Sequence, residues 1–230
     1  MSDTTETMTA DRPLSEASSR PMPVMRSPIS ARHHQQGATL SIEDGWEVPR
    51  HYQDTERERA AIRNGLAIAD ITARGKIDIR GDVDSALASL PQARAAALAR
   101  VSRSWALVLT PSVGLADGLR LMAGSASQDT MVTDATSIYA GFALLGPRVP
   151  DLLSRLITTD PSALRHGSCL ATQLLRLPAI LLRRELPLMV VETYLPSEYA
   201  NYAWEAIFKA AHPLGPEPVG LDALHAEGWR

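Results

Sequence analysis

Gly45-Trp46-Glu47-Val48-Pro49-Arg50-His51-Tyr52, then Glu56-Arg57-Glu58-Arg59-Ala60-Ala61-Ile62-Arg63, then Gly65-Leu66-Ala67-Ile68-Ala69-Asp70 is the stretch from which the fold is read. An aromatic-Pro-aromatic loop leads into a charged helix, a glycine stop and an apolar strand. Residues 54–64 form the expected helix: Thr55 can cap it, Glu56 and Glu58 suit its positive N-terminal end, and Gly65 stops it. Residues 66–70 and 76–80 read as strands. In the second, Ile77 and Ile79 alternate with Lys76, Asp78 and Arg80, the pattern of a half-buried strand.

Working outward, Gly81-Asp82 turns the chain into an alanine-rich region, helical over residues 84–100 and broken near Pro91. Strands are expected at 105–109 and 115–122, connected through Thr110-Pro111-Ser112, with 129–134 a further strand or its turn. Residues 139–145 are apolar and end at Gly146-Pro147, a strand leaving into a turn. Over 149–156 a helix shows Val149, Leu152, Leu153 and Leu156 on one face. Strands at 170–175, 179–183 and 188–193 precede a last helix that starts at Pro196-Ser197-Glu198 and runs through Tyr202, Ile207 and Ala210. Two βαβ-like units thus flank Ile138. The fold class is α+β, two packed sheet-and-helix subdomains with a boundary near 138.

Residues 1–35 are rich in Ser, Thr, Pro and Met without periodicity, the composition of a disordered tail, and His33-His34 at its end read as solvated. The folded domain is expected over 36–230. A net charge of −3 argues against a nucleic-acid partner. The single cysteine, Cys169, leaves no internal disulfide or cysteine-based metal cluster. No apolar run reaches the length of a membrane span, and Asp3, Glu6, Asp11 and Glu16 argue against a basic transit peptide, so a cytoplasmic location is expected. Ser168, His166 and Asp160 lie on one local segment without a Gly-x-Ser-x-Gly elbow, which a loop before a strand explains.

The opening stretch resembles that of the glycine-cleavage T-protein family, the tetrahydrofolate-binding aminomethyltransferases. Further segments are similar in order: Lys76-Ile77-Asp78-Ile79-Arg80-Gly81-Asp82, Leu107-Val108-Leu109-Thr110-Pro111 with Gly114-Leu115-Ala116-Asp117, Ala143-Leu144-Leu145-Gly146-Pro147, Trp204-Glu205-Ala206-Ile207, and Pro218-Val219-Gly220-Leu221-Asp222-Ala223. The resemblance covers roughly residues 37–225. It implies a tetrahydrofolate cofactor in a central cavity and an aspartate beside the folate nitrogens, where an anion steadies positive charge as a one-carbon unit is captured from a methylamine or glycine-type donor.

Asp117 is the candidate for that catalytic and cofactor-binding carboxylate. As a strand, Leu115, Asp117, Leu119 and Leu121 share one face, which points Asp117 inward; the alternative is a hairpin-turn aspartate facing solvent. Glu185 falls where the resemblance implies a glutamate gripping the pterin, though Leu182-Arg183-Arg184-Glu185 lacks the family's tyrosine and glycine, and a solvated turn also fits. Beyond Ala223 the family's arginines do not follow, and the C-terminal barrel domain is expected to be lacking. That outline is similar to the small gamma subunit of heterotetrameric sarcosine oxidases, as are residues 169–184. It implies a larger flavoprotein or transferase subunit as partner and no chemistry in the chain itself.

Overall fold

The computed structural model describes residues 23–88, 97–184 and 186–229. In chain order the elements are β1 (Met25–Arg26), α1 (Ser30–Gln35), β2 (Thr39–Glu43), β3 (Trp46–His51), α2 (Thr55–Asn64), β4 (Leu66–Asp70), β5 (Gly75–Arg80), α3 (Val83–Leu87), β6 (Ala97–Ser102), β7 (Trp105–Thr110), α4 (Leu115–Ser125), β8 (Met131–Asp134), β9 (Tyr139–Leu145), α5 (Val149–Leu156), β10 (Cys169–Leu174), β11 (Leu177–Arg183), β12 (Val190–Pro196), α6 (Ala200–Ala211), β13 (Pro216–Pro218) and α7 (Leu221–Ala226).

A six-stranded sheet of order β10-β11-β12-β9-β4-β13 stacks on a four-stranded sheet of order β6-β7-β5-β8, and β1-β3-β2 form a third, smaller sheet. Every residue of β4 is buried, because both faces of the large sheet are covered. On one face α5 and α6 bring Val149, Leu152, Leu156, Trp204 and Ile207 against Leu66, Ile68, Phe142 and Leu144. On the other, Ala67, Ala69 and Leu145 meet Leu107, Leu109 and α7. The far face of the small sheet packs on α3 and α4 through Ile77, Ile79, Val83, Ala106, Val108 and Met122. The layers are helix, sheet, sheet, helix, an α+β architecture as expected. Gly146, at φ +108°, turns β9 into α5; a Cβ there would lie 2.5 Å from the carbonyl oxygen of Gly65, so only glycine fits.

Four expectations are corrected. Residues 115–122 are helical: Leu115, Leu119 and Met122 fit a helical spacing as well as a strand face, and Gly118 lets α4 close on β5, where a Cβ would sit 2.9 Å from Ile77 Cδ1. Of the alanine-rich region, Val83–Leu87 is helix but Ala97–Ser102 is a strand paired with β7; residues 89–96, with Pro91, lie outside the described residues. A single boundary near 138 does not divide the sheets, because β4 pairs with β9 and the four-stranded sheet of residues 75–134 is inserted between them.

The fourth concerns the expected tail. Its described part, residues 23–35, forms β1 and α1, with Ile29 fully buried. His33 is buried too, its Nε2 2.8 Å from Asp70 Oδ2 and its Nδ1 2.7 Å from the Tyr52 hydroxyl. With the ring proton on Nε2, imidazole donates to the carboxylate and accepts from the phenol. Burial pushes the Asp70 carboxyl up, but His33, Ser27 and Thr72 outweigh it and hold the group below its ordinary range. This clamp is one of several ties: β1 pairs with β3, Ser30 donates to Glu47, and Arg32 reaches Asn201 and Glu205. His33→Ala is expected to lower stability by about 1.5–3 kcal/mol, the range for hydrogen bonds to charged groups; urea unfolding measures it.

Candidate functional site

The polar centre lies where the two sheets face each other. Glu192, in the middle of β12, is fully buried. Its Oε1 accepts from Arg74 Nη1 at 2.7 Å, from Trp229 Nε1 at 3.0 Å and from Arg184 Nη1; its Oε2 accepts from the Tyr194 hydroxyl at 2.7 Å. Burial pushes the Glu192 carboxyl up, yet Arg74 and Arg184 prevail and hold it below the usual carboxylate range. The Tyr194 phenol goes the other way: burial first, then the Glu192 charge, raise it well above its ordinary value. For Arg74, burial works against the charge and Glu192 more than restores it. A carboxylate with four donors is saturated, so the cluster ties the sheets together and leaves little of Glu192 for a ligand.

Trp229 completes this centre from above. Its ring lies 4.1 Å under the Arg74 guanidinium and it is only 5% exposed. Beside it a cavity of ≈ 220 Å³ is lined by Asp70, Ile71, Arg74, Ser112, His225 and Trp229 among others. Lys76, expected on the solvent face of β5, is instead fully buried next to this cluster. Its ammonium donates to the carbonyl oxygens of Thr72 (2.8 Å), Arg74 (3.0 Å) and Thr136 (3.2 Å). Burial is the main reason its pKa falls to about 7; the Arg74 charge lowers it further, and the charges of Asp70 and Asp134 only partly oppose this.

The sequence-predicted residues stand apart from the centre. Asp117 is on the first turn of α4 with its side chain half exposed, 3.1 Å from Arg120. It does not line the cavity. The inward orientation expected for it is corrected, because helical geometry replaces the strand parity that pointed it to the interior. Glu185 lies outside the described residues. The residues that do converge, Arg74, Glu192, Tyr194 and Trp229, come from distant parts of the chain. One local signal existed: Glu192 interrupts the apolar run from Leu188 to Leu195, and a lone acid inside a buried strand demands partners.

The cavity beside Trp229 is too small as it stands to enclose a whole tetrahydrofolate. The cavity falls below the roughly 300–1,000 Å³ of pockets that enclose drug-sized ligands, and Trp229 with Arg74 occupies the adjoining space. Among the described residues no group of three or more His, Cys, Asp or Glu side chains is placed to hold a metal ion, and no helix is long and apolar enough to cross a membrane.

The chain is a layered α+β protein with a polar centre between two sheets. The family described as GCVT N-terminal domain matches residues 95–227, and the chain belongs to it. Aminomethyltransferases of Streptomyces avermitilis and Halothermothrix orenii are 25% and 26% identical, each alignment covering 86% of this chain and 61% and 62% of theirs. The chain therefore spans about three fifths of the length of these curated relatives. In fold it is similar to the glycine cleavage system aminomethyltransferase T from Bartonella henselae, with TM-score 0.73 and 16% identity over 89% of this chain and 62% of that one. It is similar as well to a chain of the heterotetrameric sarcosine oxidase from Corynebacterium sp. U-96, solved in complex with pyrrole 2-carboxylate. There the TM-score is 0.60 and the identity 14%, over 83% of this chain and 96% of that one.

Proposed function

We propose that the protein is a noncatalytic, gamma-like subunit that stabilises a heteromeric sarcosine oxidase-type, amine-oxidising complex. The observation that carries this reading is the filled centre: Glu192 is saturated by Arg74, Arg184, Tyr194 and Trp229 where a ligand would need open donors and acceptors. The fold likeness to a chain of the heterotetrameric sarcosine oxidase, with a TM-score of 0.60, supports it. The partner expected is a larger flavoprotein subunit. Purification of the native protein under mild conditions tests this: a flavin-containing subunit should accompany it in stoichiometric amount. A chain that purifies alone at full stability, from cells that produce such subunits, would overturn the proposal.

A second reading has support from the aminomethyltransferase relatives. In it the protein binds tetrahydrofolate, assists one-carbon transfer, and uses Asp117, with Glu185, as polar anchors. The outward carboxylate of Asp117 opposes it. Calorimetric titration with a reduced folate separates the two: micromolar binding lost in Asp117→Asn supports the second, and absence of heat supports the first. The cytoplasm is the location both readings assume.

A further inference from the structure

The β2–β3 and β10–β11 hairpins make the same tight turn with different residues. Each has a two-residue loop with positive φ at both positions, the geometry that Asn-Gly or Asp-Gly fits best. Asp44 and Gly45, at φ +51° and +80°, follow that preference between Glu43 and Trp46. Leu175 and Arg176, at φ +54° and +68° between Leu174 and Leu177, do not. A left-handed backbone costs free energy at any residue with a Cβ, and the cost persists only where packing or function holds it.

Leu175 has a structural return. Its N–H donates to the Leu156 carbonyl at 2.8 Å, and its half-buried side chain packs on the core beneath α5 and α6. Arg176 has none: it is exposed, and among the described residues its side chain makes no hydrogen bond or ion pair. It borders instead a groove of ≈ 390 Å³, together with Arg155, Ile157, Thr158, Gln173 and Tyr202. Arg155, in the last turn of α5, reaches the Ala210 carbonyl at 3.5 Å, a long contact that leaves its other donors to the groove. Tyr202 stands on α6, 54% exposed. Among the described residues no acidic side chain lines the groove. Glu198 and Glu205, the acids flanking Tyr202 in sequence, stand outside it, and Glu205 is engaged by Arg32.

We propose that this groove is the docking point for an acidic segment of the larger flavoprotein subunit, with Arg176 kept in its costly conformation to meet a partner carboxylate. Arginine and tyrosine are the residue types that carry binding energy at interfaces, and the forked donors of a guanidinium match a carboxylate. Two arginines around a groove free of acids, in a chain of net charge −3, complement an anionic surface. The inference rests on the subunit proposal and adds to it where the partner sits.

Flavin retained per chain, followed on the native complex through washes of rising salt, tests it. Arg176→Gly and Arg155→Ala should each release the flavin-containing subunit at least about tenfold faster than wild type, and Arg176→Glu faster still. The differences should shrink as salt rises. Glycine suits the turn, so the melting temperature of the Arg176→Gly chain should equal or exceed that of wild type. Arg103→Ala removes an exposed arginine outside the groove and should retain flavin as wild type does. Groove variants that hold the flavin subunit as firmly as wild type overturn the docking point and leave the subunit proposal standing. Wild-type protein that brings no flavin subunit overturns both. A melting temperature for Arg176→Gly more than about 3 °C below wild type would show that Arg176 serves the fold, and that ends the docking proposal. An equal loss of flavin in Arg103→Ala ends it too, since it reports a diffuse charge effect.

Discussion

Glu192→Ala should cost on the order of 3–5 kcal/mol of folding stability, the penalty for orphaning a buried charge cluster. The side chains of Arg74 and Arg184 are 5% and 11% exposed, and both point at Glu192 Oε1. Without the carboxylate, two guanidinium groups face each other in a site that water reaches poorly. Trp229 Nε1 loses its acceptor, and the Tyr194 hydroxyl its partner. Replacing the whole cluster by apolar residues could be neutral; removing its only anion is not. Glu192→Gln keeps shape and one acceptor oxygen, so a smaller loss is expected. Urea unfolding of wild type, both variants and the double variant Glu192→Ala/Arg184→Ala measures it, and the double variant should recover part of the loss. A cost below about 1 kcal/mol for Glu192→Ala would mean that the four donors find other partners, and the filled-centre argument would fall with it.

The elements legible in the sequence are those with one unambiguous period. Strands β4 and β9 are runs of five and seven residues, almost wholly apolar and ended by a polar residue or glycine, and α5 carries a single stripe of Val149, Leu152, Leu153 and Leu156. Helix α4 was not legible: its leucines satisfy both periods, and its packing on β5 through Gly118 and Met122 is a contact between distant segments. Strand β13 is three residues with two prolines, and it exists because it pairs in parallel with β4 from the other end of the chain. Alternation in β5 identifies a strand with two unlike faces, yet it does not say that the charged face stays wet. Here the 72–76 and 134–136 segments close over Lys76.

The candidate site was the least legible part for the same reason. Arg74 and Glu192 are 118 positions apart, and their pairing depends on how the two sheets stack. The family resemblance found the fold because it rests on local runs such as Ala143 to Pro147. Strand parity pointed Asp117 inward, and the helix that carries it turns it outward. Asp117 is half exposed beside Arg120 on the first turn of α4; Glu192, the acid that interrupts an apolar run, is fully buried with four donors. In this chain the family's fold carries a closed polar centre between its two sheets.

The stability of the wild-type protein should rise between pH 7 and pH 9, and Lys76→Met should abolish the rise. In the folded state burial brings the Lys76 ammonium down to about 7 from its ordinary 10.5. Below pH 7 both folded and unfolded chains carry the proton, and the buried charge is at its most costly. Between the two values the unfolded chain still binds a proton that the folded chain has released, so stability increases with pH. One pKa unit corresponds to about 1.4 kcal/mol, so two pH units across this window yield a gain on the order of 2–3 kcal/mol. Three carbonyl acceptors favour the ammonium, but among the described residues no carboxylate touches Nζ, and Arg74 repels it; burial therefore dominates. From about pH 8.5, the ordinary range of a thiol, other groups act in the opposite sense. The Cys169 thiol and the Tyr52 and Tyr194 phenols are all raised, chiefly by burial, so they ionise first in the unfolded chain and draw stability down. Urea midpoints at pH 7, 8 and 9 are the measurement. A wild-type profile as flat as that of Lys76→Met would show that the three carbonyls keep the proton in place, and that Lys76 is a permanent cation at the heart of the fold.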